Sequence, residues 1–146
     1  MESVVCTRRI EFCAGHRVVG HEGKCRNWHG HNYVLEVTAR AKQSLDSVGR
    51  VIDFSVLKDR VKGWIDANWD HGMILWNKDV ELLAVSRKVT GDMKTYALPT
   101  NPTAENMAAY LMREVFPRLF ADTRVDIVKA VLHETPNCYA TVERID

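Results

Sequence analysis

Alternating apolar and polar positions predict two strands near the beginning of the chain. Over residues 4–14, apolar side chains such as Ile10 and Phe12 alternate with polar ones, which is the two-residue period of a half-buried strand. Residues 33–41 repeat this period, and we expect the two strands to pair as a hairpin. The connection between them is much longer than the usual hairpin loop of about 2–5 residues, so we expect it to carry function.

Helical periodicity follows in two places. Apolar residues recur at three- and four-residue intervals after Asp53, which can cap a helix, and they predict a helix over residues 54–68. A second helix should begin after the N-cap Thr103, and its apolar stripe runs up to Pro117, where we expect regular continuation to stop. The two helices should pack side by side.

The chain then returns to strands. Residues 125–134 and 139–145 are rich in Val and Ile, which are typical strand residues. The predicted order is therefore ββααββ, in an α+β fold. Segment 73–99 has the weakest pattern, and there we predict a short helix near residues 80–86 and a short strand near residues 94–98.

Length and charge narrow the class of protein. A chain of 146 residues has the size of one domain, and we expect a single domain over residues 1–146. Its formal net charge of +1 provides no overall field for nucleic acid or for an anionic membrane. The sequence has no apolar run near the ~20 residues that a membrane span requires, and its first residues lack the apolar core of a signal peptide. We expect a cytoplasmic protein without nucleic-acid or membrane partners.

Three histidines predict a catalytic metal site. His29 and His31 flank a glycine and point the same way on an extended chain, and a paired first strand can bring His16 to the same point. Three neutral imidazoles with an open fourth position are the pattern of catalytic zinc, whereas structural zinc sites are usually closed by four ligands. The alternative is that these histidines are unrelated polar residues of a loop.

Cys25 lies four residues before His29, close to the predicted metal. Positive charge near a thiol favours the thiolate, which can act as a nucleophile or as a proton-transfer base. The alternative is that Cys25 is a fourth zinc ligand, which would close the site.

Three carboxylates complete the candidate chemistry. Asp70 adjoins His71 at the end of the first helix, where a carboxylate can orient an imidazole for proton transfer near neutral pH. Glu134 ends a predicted strand, and a carboxylate can accept two parallel hydrogen bonds from a 2-aminopterin ring. Glu105 falls in the first turn of the second helix, where it can instead simply favour the helix dipole. Taken singly, each of these residues is more often solvated or structural.

Together these residues resemble the 6-pyruvoyltetrahydropterin synthase and 6-carboxytetrahydropterin synthase superfamily over nearly the whole chain. The matching pieces are FCAGH (12–16), CRNWHGHNY (25–33), VIDFSVLK (51–58), WDH (69–71), NPTAEN (101–106) and HET (133–135). The resemblance implies the tunnelling fold, in which a four-stranded antiparallel sheet carries two helices on one face. It also implies a homo-oligomer in which trimers stack as hexamers, with sites at subunit interfaces.

Carried over by position, the resemblance assigns roles to three groups of residues. The implied zinc ligands are His16, His29 and His31. The implied proton-transfer groups are Cys25, Asp70 and His71. The implied substrate-binding residues are Glu134, which anchors the pterin ring, and Thr103 and Glu105, which line or support the ring pocket.

The implied enzyme is a zinc-dependent lyase that acts on 7,8-dihydroneopterin triphosphate. The spacing of Cys25 from the His-Gly-His triplet resembles that of the bacterial 6-carboxytetrahydropterin synthases. Their reaction would release triphosphate and acetaldehyde, and its carboxy product would feed queuosine biosynthesis. One alternative is a 6-pyruvoyltetrahydropterin synthase, which eliminates triphosphate in a tetrahydrobiopterin-type pathway. Members that form a hydroxymethyl pterin place a Glu where this chain has Cys25. A non-catalytic pterin-binding homologue is a further alternative.

Two features fall outside this match. Segment 73–99 is longer than in compact carboxy-forming members, and it can alter the rim of the pocket or the assembly. No motif names the groups that hold the triphosphate. The candidates lie in the long connection between the first two predicted strands and are Arg17, Lys24 and Arg26. A charge in a loop is more often solvated.

Overall fold

The computed structural model describes residues 2–89, 91 and 93–146. The described strands are β1 (Val5–His16), β2 (His29–Ala41), β3 (Gly72–Trp76), β4 (Thr95–Leu98), β5 (Val125–Thr135) and β6 (Cys138–Glu143). The described helices are α1 (Phe54–Asn68), α2 (Val80–Lys88), α3 (Ala104–Tyr110) and α4 (Phe116–Leu119), with a 3-10 helix at Lys24–Arg26 and a π-helical turn at Leu111–Val115. Among these, no helix has the length and apolar character needed to cross a membrane.

The strands form one mixed sheet in the order β4-β3-β1-β2-β5-β6. Strands β1, β2, β5 and β6 pair antiparallel, as expected. The short strand predicted near residues 94–98 is confirmed as β4. The expected four-stranded sheet was wrong in strand number, because β3 and β4 extend the sheet beyond β1 with parallel pairing. The order is therefore longer than ββααββ. Strand β3 is a short apolar run without alternation, and its partner β1 lies far away in the sequence, so no local pattern predicts it.

The hydrophobic core lies between one face of the sheet and the helices α1 and α3. Helix α1 buries the stripe of Leu57, Val61 and Ile65, at the spacing that the sequence predicts. Its N-cap Asp53 accepts a hydrogen bond from the Ser55 backbone N–H at 2.8 Å. Helix α2 has no buried residue, so it lies outside this core. The two predicted helices on one face of the sheet are thus confirmed.

The second predicted helix begins as expected but ends differently. The Thr103 side chain accepts a hydrogen bond from the Asn106 backbone N–H at 3.1 Å, which caps α3. Pro117 does not end the helical path, because it lies in the first turn of α4, directly after the π-helical turn. Proline is tolerated in a first turn, where its missing N–H would lack an intrahelical partner in any case.

Candidate metal and pterin site

Pairing of β1 with β2 brings the three predicted histidines together at one end of the sheet. His16 lies opposite His29 in the register, and Ala14 lies opposite His31. Since residues two apart share a face of a strand, the three rings converge. One ring nitrogen from each histidine lies within 4.8 Å of the others, and the Nε2 atoms of His16 and His29 are 3.1 Å apart.

The backbone orients two of these rings. Nδ1 of His16 donates to the Pro102 carbonyl, and Nδ1 of His29 donates to the Asn27 carbonyl, each at 2.7 Å. Both bonds place the proton on Nδ1 and leave the Nε2 lone pair free, as in histidines that bind metals. Nε2 of His31 is buried and has no hydrogen-bond partner among the described residues. Two oriented nitrogens and one orphaned nitrogen fit a divalent metal such as zinc.

Burial favours the neutral forms of His16 and His31. His16 is 1% exposed, and this burial lowers its pKa to about 4, although the hydrogen bond to Pro102 opposes the change. Burial also lowers the pKa of His31, while the charge of Glu134 opposes it. Neutral imidazoles are the form that binds metals, so protons compete with a metal at His16 only in acid.

Acid should destabilise the metal-free protein through His16. A histidine whose pKa is lower in the folded than in the unfolded state binds a proton more readily when the chain is unfolded. The contribution of His16 to the free energy of unfolding is therefore complete above about pH 6.5 and is lost as the pH falls to about 4. The loss should reach about 3 kcal/mol. Urea unfolding of chelator-treated protein at several pH values measures it. If a His16→Gln variant loses stability just as steeply over this range, His16 is not the cause.

Glu134 reaches the same cluster from the end of β5. Its Oε2 lies 3.7 Å from Nε2 of His31, and its Oε1 lies 4.0 Å from Nε2 of His16. Glu134 and Glu105 both line a small cavity of about 300 Å³ at the beginning of α3. Thr103, the N-cap of α3, immediately precedes Ala104, which also lines this cavity. The structure therefore places the predicted ring-binding carboxylate beside the histidines.

Cys25 lies in the 3-10 helix of the long connection between β1 and β2, where it is half-buried. Its carbonyl accepts a hydrogen bond from the Val18 N–H at 2.9 Å, which folds the connection back toward the end of β1. Among the described residues, the grouped metal-binding atoms are those of the three histidines and do not include the Cys25 thiol. This geometry gives no support to Cys25 as a fourth ligand.

Asp70 and His71 form a second polar unit after α1. His71 Nδ1 donates to Asp70 Oδ2 at 2.8 Å, and the Cys13 N–H donates to Asp70 Oδ1 at 2.9 Å. Burial raises the pKa of Asp70, but these hydrogen bonds outweigh it and the net pKa is lowered. The His71 side chain is 79% exposed. His71 and His31 line one cavity of about 630 Å³, although no described hydrogen bond joins the pair to the histidine cluster.

Arg17 is not the free cation that a triphosphate site would need. Its guanidinium makes two hydrogen bonds to the Asp79 carboxylate, at 2.7 and 2.5 Å. Asp79 is 3% exposed and caps α2, so this is a nearly buried ion pair that ties α2 to the residue after His16. Of the three candidate cations, only Lys24 and Arg26 stay exposed.

Comparison with known proteins identifies the family. Residues 5–145 match the family model described as 6-pyruvoyl tetrahydropterin synthase. The chain is 49% identical over 139 residues to a 6-carboxy-5,6,7,8-tetrahydropterin synthase of Rickettsia bellii, covering 95% of this chain and 99% of the relative. It is 33% identical over 138 residues to the protein of the same name from Haemophilus influenzae, covering 91% and 94%.

Solved structures agree with the fold. An uncharacterized protein from Wolinella succinogenes superposes with a TM-score of 0.82 at 20% identity, covering 99% of this chain and all 100% of that one. The Caenorhabditis elegans 6-pyruvoyl tetrahydropterin synthase superposes with a TM-score of 0.65 at 29% identity, covering 99% and 98%. The expected tunnelling fold is confirmed, and the chain belongs to the 6-pyruvoyl tetrahydropterin synthase family of pterin enzymes.

Proposed function

We propose that the chain is a zinc-dependent 6-carboxy-5,6,7,8-tetrahydropterin synthase, which converts 7,8-dihydroneopterin triphosphate and water into the 6-carboxytetrahydropterin, triphosphate and acetaldehyde. The observation that carries the proposal is the group of three histidine nitrogens within 4.8 Å, with the Glu134 carboxylate 3.7 Å from His31. A metal site and an acceptor for a pterin ring thus lie side by side. Relatives that bear this name at 33–49% identity support the carboxy product. The product would enter queuosine biosynthesis in the cytoplasm.

The substrate would be held at its two ends. Bound zinc supplies Lewis-acid polarisation of the oxygens on the substrate side chain. Glu134 would accept hydrogen bonds from the 2-amino group and the adjacent ring N–H of the pterin. Glu105 would line the same pocket, and Thr103 would support it by fixing the beginning of α3.

Proton transfer is assigned to the residues outside the metal cluster. Cys25 would be the base that removes a proton from the substrate side chain. Asp70 holds the Nδ1–H of His71, which leaves His71 Nε2 free to accept or donate a proton. Because His71 is exposed and makes no described hydrogen bond to the histidines of its own chain, a site completed by a second subunit is consistent with this geometry. The stacked-trimer homo-oligomer is part of the proposal.

Mass spectrometry of the product is the decisive test. Zinc-loaded protein should consume 7,8-dihydroneopterin triphosphate and yield a 6-carboxytetrahydropterin together with triphosphate and acetaldehyde, whereas chelator-treated protein should not. The family model and the Caenorhabditis elegans relative carry the pyruvoyl name, so a pyruvoyl side chain is the main competing outcome. A hydroxymethyl product would indicate the third subgroup. Unchanged substrate would reject the proposed reaction and favour a non-catalytic pterin binder.

A further inference from the structure

Lys94, in segment 73–99, contacts the turn that carries the Asp70–His71 pair. The proposed function gives this contact no role. The stem of Lys94 lies over Gly72, where an added Cβ would come within 3.2 Å of Lys94 Cγ. Lys94 Nζ donates to the carbonyl of Asp70 at 2.5 Å and to that of Asp66 at 2.6 Å. The Asp66 carbonyl belongs to the last turn of α1, where carbonyls lack helical partners and the helix dipole favours a cation, and Asp70 lies in the turn just after that helix.

Strand β1 holds the same turn from another direction. The Cys13 N–H donates to the Asp70 side chain at 2.9 Å, and the Cys13 carbonyl accepts the His71 N–H at 2.6 Å. His71 itself has a φ of 59°, in the left-handed region that residues with a Cβ rarely adopt. Such a conformation persists only where the surrounding structure imposes it. Lys94 and Cys13 contribute to this, together with the hydrogen bonds from the Asp70 and Gly72 N–H groups back to the end of α1.

We propose that Lys94 is a positioning residue for the Asp70–His71 pair, because its ammonium fixes the turn from which His71 presents its imidazole. The inference rests on the proposed proton-relay role of that pair. Segment 73–99 is itself anchored to the metal end of β1, since Asp79 binds Arg17. Through Asp79 and Lys94, the segment would thus stabilise both the end of β1 that carries His16 and the Asp70–His71 pair.

Lys94→Met tests the proposal, because methionine keeps an unbranched stem over Gly72 and removes the ammonium. The matched control is Lys88→Met, since Lys88 is an exposed lysine at the end of α2 without a described hydrogen bond. The tautomer of His71 is measured in zinc-loaded protein by two-bond ¹H–¹⁵N NMR at about pH 8, where an ordinary histidine is neutral. The His71→Gln variant assigns the signal.

The wild type and Lys88→Met should show the Nδ1–H tautomer that the bond to Asp70 dictates. Lys94→Met should show a mixture of tautomers, with zinc still bound. Its kcat should fall about 10- to 100-fold while KM changes less than about twofold, since a small misplacement of a catalytic group costs this much in rate.

A wild-type His71 tautomer in Lys94→Met would overturn the proposal, because a merely structural lysine would lower Tm without changing the ring. A wild-type kcat despite a changed tautomer would overturn it as well. The NMR measurement needs no turnover, so it remains decisive if the wild type does not act on the proposed substrate, a failure that the product assay detects separately. If Lys94→Met does not fold, Lys94→Gln is judged by the same criteria.

Discussion

Replacing Cys25 by alanine should reduce the turnover of 7,8-dihydroneopterin triphosphate by about 10³-fold while zinc stays bound. The substitution removes the proposed base but none of the three ring nitrogens grouped within 4.8 Å. Cys25 is half-buried in a short 3-10 helix that has no fully buried residue, so alanine should leave the fold intact. Product formation gives kcat, and atomic absorption gives the zinc content per chain.

Cys6→Ala is the matched control for this experiment. Cys6 is also half-buried, but it lies at the opposite end of β1 from His16. Burial raises the pKa of its thiol, which keeps it protonated. Cys6→Ala should therefore turn over substrate normally. Loss of zinc from Cys25→Ala would instead identify Cys25 as a metal ligand, and full activity would remove it from the mechanism.

His29→Ala should lose the metal and the activity together. Two imidazoles remain after this change, and we expect the affinity for zinc to fall by more than about 100-fold. Removing only a residue that hydrogen-bonds a metal ligand already costs about 10- to 100-fold, and the loss of a ligand itself should cost more. The hydrogen bond from His29 to the Asn27 carbonyl is lost as well, but His29 is only partly buried, so the sheet should persist. Competition with a chromophoric chelator measures the affinity, and circular dichroism checks the fold.

His21→Ala is the control from the same loop. His21 accepts a hydrogen bond from the Gly23 N–H at 2.8 Å and is not a member of the histidine cluster, so its loss should leave zinc bound. X-ray absorption on the wild type should show three imidazole nitrogens and one light oxygen. Zinc retained by His29→Ala, or a sulfur ligand in the wild type, would contradict the site described above.

The hairpin and its histidines were predictable because their signals are local. Alternation along β1 and β2 determines which residues share a face, so the convergence of His29 and His31 with His16 requires only the hairpin register. The helix N-caps Asp53 and Thr103 are equally local signals, and both side chains accept the hydrogen bonds expected of them.

Contacts between distant segments could not be predicted in this way. Arg17 lies in the long connection between β1 and β2, and this position alone suggested a phosphate-binding cation. Its ion-pair partner Asp79 is 62 residues away in the sequence, so no local pattern indicated the pairing. The approach of Glu134 to His31 depends on β5 lying beside β2. A local pattern indicates which side chains are buried, but not which strands become neighbours. The family resemblance, not the pattern, gave Glu134 its expected role.

The two halves of the site become available at different times during synthesis of the chain. His16 and His29 are only 13 residues apart, and closing so short a loop costs little entropy. Glu134 arrives with β5, which can pair with β2 only after the intervening helices have left the ribosome. The β1–β2 hairpin that carries the histidine cluster can therefore pair before Glu134 lies beside it.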